Sequence, residues 1–167
     1  MKKLIFSFLF IFLITFNYFE ECKASKIEMC KEACKFVGYK FDFCESICKY
    51  DPEWEFLDIS AVGDFLFYNR KTIPVSPNII KVWTKIVYTE KSRPYYVKKY
   101  GKMYKNLDYA LNLLEINCAK GIYRYLEYYS YASDGSIIRS SKKPDLWKTP
   151  SPYTPIKIIF EEVCQRR

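Results

Sequence analysis

Histidine is absent from the 167 residues. That removes the usual general base of serine and cysteine hydrolases and every histidine-containing zinc site. Glycine is scarce: the five glycines are scattered, so no glycine-rich phosphate loop can be assembled. The close cysteine pairs, Cys30/Cys34 and Cys44/Cys48, are each separated by three residues, not by the two of thiol oxidoreductases. Acid pairs such as Glu53/Glu55 and Glu161/Glu162 are near neighbours in sequence and read as surface charge, not as the spaced pair of a glycosidase. These absences lead to the expectation of a non-enzymatic protein with no cofactor and no metal. Past the first residues no apolar run is long enough to span a bilayer core of about 30 Å.

What is present begins at the N-terminus. Lys2-Lys3, the apolar run Leu4 to Phe19 and the small residues Cys22 and Ala24 predict a signal peptide over residues 1–24, cleaved after Ala24. An uncleaved anchor is the alternative, although Ser7, Thr15 and Asn17 interrupt the run. Glu20 and Glu21 before Cys22 argue against lipid attachment at that cysteine. Cleavage leaves Cys30, Cys34, Cys44, Cys48, Cys118 and Cys164, an even set that predicts three disulfides in an exported chain. The precursor carries a formal charge of +8, and removing the leader leaves about +7. Acidic partners follow: anionic lipid head groups, acidic glycans or acidic patches on proteins. Nucleic acid is not expected for an exported protein.

Residues 25–50 read as a helical hairpin. Ser25 with Glu28 predicts a capping box, Gly38 a C-terminal cap, and Asp42 with Glu45 a second capping pattern. In each helix the two cysteines lie one turn apart. An antiparallel pair of helices then favours nested bonds, Cys30 to Cys48 and Cys34 to Cys44. A four-thiolate zinc site is the competing reading.

The second domain, residues 51–167, reads mainly as strands. Trp54 to Ser60 and Asp64 to Asn69 predict a hairpin around Ala61-Val62-Gly63, and Ile79 to Tyr88 alternates strictly. Lys71 to Pro77, with two prolines, is expected as a loop. Two further strands flank Cys118, the second placing Tyr123, Tyr125, Tyr129 and Tyr131 on one face and Ile122, Leu126 and Tyr128 on the other. Between them and Tyr88 lies a basic, tyrosine-rich segment, Glu90 to Asn106. Its residues Lys91, Arg93, Tyr95, Tyr96, Lys98 and Lys99 are candidates for partner binding on a recognition loop, with a plain solvated loop or short helix as the alternative. Ser140 to Pro155 predicts an extended surface connection. Ile156, Ile159, Phe160 and Val163 recur at helical spacing near the C-terminus.

Trp54, Phe67-Tyr68-Asn69, Val82-Trp83-Thr84-Lys85, Leu114-Glu115-Ile116-Asn117-Cys118, Asp134-Gly135-Ser136, Trp147, Pro150 and Val163-Cys164 occur in an order that resembles the bacterial surface-adhesin protein E family. The resemblance spans roughly Trp54 to Cys164. It implies an α+β fold: an antiparallel sheet of about six strands with a C-terminal helix packed on one face, here preceded by the small disulfide-linked hairpin. It also implies a bond between Cys118 and Cys164, adhesion to host matrix proteins and sheet-edge pairing into a homodimer. The leading expectation is an exported adhesion-type module that recognises a protein or acidic glycan through basic, tyrosine-rich loops. A structural or stress-related envelope protein without a host ligand is the alternative, and an inhibitor or toxin-like role of the cysteine hairpin is a third.

Overall fold

The computed structural model describes residues 25–49 and 51–165; the expected signal, residues 1–24, lies outside them. Two compact units divide the chain after residue 50.

In the first unit residues 25–36 form α1 and Phe41–Ile47 form α2. Gly38 has φ 79°, a conformation in which a side chain would be strained. Its N–H donates to the Lys35 carbonyl (2.9 Å), and the Tyr39 N–H donates to the Cys34 carbonyl (3.2 Å). This pair of bonds closes the C-terminus of α1. Disulfides Cys30–Cys48 and Cys34–Cys44 span Cα distances of 5.6 and 5.7 Å, which leaves no thiolate for zinc. All four half-cystines are buried, and they constitute the core of the unit. One expectation fails at α2. Its N-cap is Lys40 without a side-chain capping bond, Asp42 lies inside the first turn, and Glu45 pairs with Lys31 at 2.7 Å. Disulfides through Cys44, inside α2, and Cys48, its C-cap, tie this helix to α1 without a side-chain cap.

The second unit is a sheet of seven strands: β1 (Trp54–Ile59), β2 (Phe65–Asn69), β3 (Ile73–Ser76), β4 (Ile79–Val87), β5 (Leu107–Asn117), β6 (Ile122–Ala132) and β7 (Ile137–Ser141). All the pairings are antiparallel, in the order β1-β2-β4-β5-β6-β7. β3 pairs with the start of β4, beside the part that pairs with β2. It corrects the expected loop at Lys71 to Pro77: Pro74 is tolerated because β3 is a short edge strand, exposed at every residue. α3 (Arg93–Tyr100) and a 3-10 turn (Lys102–Asn106) connect β4 to β5, and α4 (Pro155–Gln165) closes the fold.

α4 starts where Thr154 Oγ1 accepts the Lys157 N–H at 3.3 Å, and Pro155 occupies a first-turn position that needs no donor. Its buried Ile159 and Val163 pack on Leu57, Tyr68, Ile80, Val82, Leu114 and Ile116. These side chains form the core between sheet and helix, each contributing about 1.5–3 kcal/mol of burial. The Cys118–Cys164 disulfide, Cα to Cα 5.6 Å, ties the end of α4 to the residue that follows β5. The Cys118 N–H also donates to the Asn78 carbonyl at 2.9 Å, which joins this corner to the β3–β4 turn.

The tyrosines of β6 do not share one face. Leu113 pairs with Glu127 and Leu114 with Tyr125, so Leu126 is an extra residue, a β-bulge. Alternation changes sense there. Tyr123 and Tyr125 lie on the α4 side against the core, whereas Tyr129 and Tyr131 lie on the opposite face with Trp83 and Tyr109. The connection after β7 then runs beside the first half of β6, where Tyr123 and Lys148 exchange backbone bonds of 2.9 and 2.8 Å. Arg124 stacks on Trp147 at 4.5 Å and reaches buried Glu115 at 2.6 Å, which holds that connection to the sheet.

Candidate recognition surface

Of the loop and short helix expected for the basic segment, the structure shows a short helix followed by a 3-10 turn. Its entrance is fixed by two buried hydroxyl residues: the Thr89 N–H donates to Ser92 Oγ at 3.0 Å and the Ser92 N–H to Thr89 Oγ1 at 3.3 Å. Pro94 fits the first turn of α3, and Gly101, at φ 101°, ends it. No residue of α3 is fully buried, so individual side chains must attach the helix to the sheet.

Two of the predicted partner-binding residues have that structural task. Arg93 Nε donates to the Leu107 carbonyl at 2.7 Å and joins the two ends of the segment. The Tyr96 hydroxyl donates to Asp64 Oδ2 at 2.5 Å, and its ring meets Tyr88 edge-on, centroids 4.7 Å apart. Asp64 is only 1% exposed and its Oδ1 has no hydrogen-bond partner among the described residues; Oδ2 also accepts from Ser60 Oγ at 3.2 Å. Burial first, and then the bond to Asp64, push the Tyr96 hydroxyl far above the ordinary tyrosine range. It therefore remains a hydrogen-bond donor at physiological pH. Tyr96→Phe leaves the Asp64 carboxylate with less compensation in a buried site. The expected cost is about 1–3 kcal/mol, measured by urea unfolding, with Tyr95→Phe near neutral as the control.

The remaining candidates face outward. Lys91, Tyr95, Lys98 and Lys99 are exposed. The Lys99 ammonium lies 5.4 Å from the Tyr95 ring centre and 5.0 Å from that of Tyr100, and hydrogen bonds to the Tyr100 and Tyr95 hydroxyls raise its pKa. Tyr100 and Met103 extend the patch at 46% and 58% exposure, with exposed Lys102 and Lys105 beside them. Tyr100 and Met103 were not among the residues selected from the sequence. The result is a cationic surface with aromatic edges, backed by a hydrogen-bonded attachment.

No cluster of metal-ligating side chains exists among the described residues, and no described helix is long and apolar enough to cross a membrane. An open cavity of about 280 Å³ lies at the β6 bulge, between Asn112, Tyr128, Ser141 and Lys143, and includes none of the predicted binding residues.

A family model described as "Surface-adhesin protein E" matches residues 54–165. No curated protein and no solved structure matches the chain.

Proposed function

We propose, for a chain that belongs to the surface-adhesin protein E family, that it is an exported, non-enzymatic binding module whose α3 and 3-10 turn contact an acidic partner. Family membership supports the adhesion-type role. The surface is supported by one observation above all: Lys91 to Leu107 contains six basic residues and no acidic one, and Lys98 and Lys99 stand exposed beside Tyr95 and Tyr100. Aromatic rings supply contact area at low entropic cost, and lysines select an anionic surface. The partner is an acidic glycan or an acidic patch on a host matrix protein; both present the same chemistry to these residues.

The test is retention of the full exported chain on an immobilised extracellular-matrix preparation, eluted with rising salt. Retention that weakens steeply with salt and is competed by heparin supports the proposal. Absence of retention, together with recovery of the protein in envelope assemblies, favours the structural envelope role.

A further inference from the structure

A second surface lies at the tip of the cysteine hairpin, in the turn between α1 and α2. Because the four half-cystines fill the interior of this unit, its aromatic side chains have little room inside. Phe36, in the last turn of α1, is 92% exposed, and Phe41, at the start of α2, is 61% exposed. Only the short turn around Gly38 separates them, so both rings emerge at the same end. Lys35 and Lys40 flank them, with Lys35 Nζ 5.6 Å from the Phe41 ring centre. From Lys35 to Phe41 there is no acidic residue.

We propose that this tip is a membrane-contact site, which inserts Phe36 and Phe41 into the interfacial region of an anionic phospholipid bilayer while Lys35 and Lys40 meet the head groups. Interfacial protein segments combine these ingredients, apolar rings pointing into the acyl boundary and lysines at head-group level. Two disulfides and the backbone bonds that close α1 fix the backbone that carries the rings before contact, so little backbone ordering entropy is lost on binding. Charge selects lipid over a second copy. Two tips placed together would oppose Lys35 and Lys40 to their own equivalents, whereas an anionic bilayer neutralises them.

The full chain, recovered after export, is mixed with vesicles of phosphatidylcholine alone or of phosphatidylcholine with phosphatidylglycerol. Sedimentation with the anionic vesicles is expected to fall about tenfold or more in the F36S/F41S variant, with all three disulfides confirmed by mass mapping. The α3 lysines also attract anionic lipid, so position is read separately: the emission that a Phe36→Trp variant adds to that of the native Trp54, Trp83 and Trp147, taken as the difference from wild type, should shift to the blue with anionic vesicles and be quenched by brominated lipid. Equal sedimentation of wild type and F36S/F41S, or an unshifted Phe36→Trp signal, overturns the proposal. So does vesicle-independent self-association that F36S/F41S abolishes, since the tip would then be a protein interface.

Discussion

Replacing Cys118 and Cys164 together by Ala should destabilise the sheet unit by about 4 kcal/mol. The bond joins residues 46 apart in sequence, and closing a loop of that length removes an amount of unfolded-chain entropy equivalent to that figure. It also holds the last turn of α4, where Val163 is buried against the core and Cys164 follows directly. A midpoint fall of roughly 15 °C in thermal unfolding is the expected readout. A loss below about 1 kcal/mol would mean that side-chain packing alone seats α4, and the bond would be incidental to the fold.

The second large effect concerns binding. Lys98→Glu with Lys99→Glu should weaken retention on the matrix preparation by tenfold or more, because for the proposed acidic partner each reversal exchanges an attraction for a repulsion. The fold should be little affected: both side chains are exposed, and surface substitutions of this kind usually change stability by about 0.5 kcal/mol or less. Arg93 and Tyr96 give the opposite pattern. Their replacement acts on attachment of the segment, through Leu107 and Asp64, so any loss of binding there should accompany a loss of stability.

That division between outward and inward residues separates what was legible in the sequence from what was not. Patterns contained within one element were readable. The helical spacing of Ile159 and Val163, the alternation of β4 and the paired cysteine spacings each follow from a single segment's own geometry, and each appears in the structure. Features that depend on a distant partner were not readable. Arg93 looked like a free cation, but its acceptor is Leu107; Tyr96 looked like a contact residue, but its acceptor is Asp64, 32 positions away. The bulge at Leu126 likewise arises from registration of β6 on β5, and the tyrosine pattern of β6 alone reads as unbroken alternation. β3 was hidden by Pro74 within it and Pro77 just after it; a proline is compatible with a strand only at an edge.

The most direct test of the recognition surface compares two double charge reversals with the same change in net charge. One variant carries Lys98→Glu and Lys99→Glu; the other carries Lys142→Glu and Lys143→Glu, both exposed in the connection after β7. Apparent affinity for the immobilised matrix preparation is measured for each, at one ionic strength. The predicted result is a loss of about tenfold or more for the α3 variant and about twofold or less for the other. Equal losses would attribute binding to overall charge and contradict a defined surface on α3.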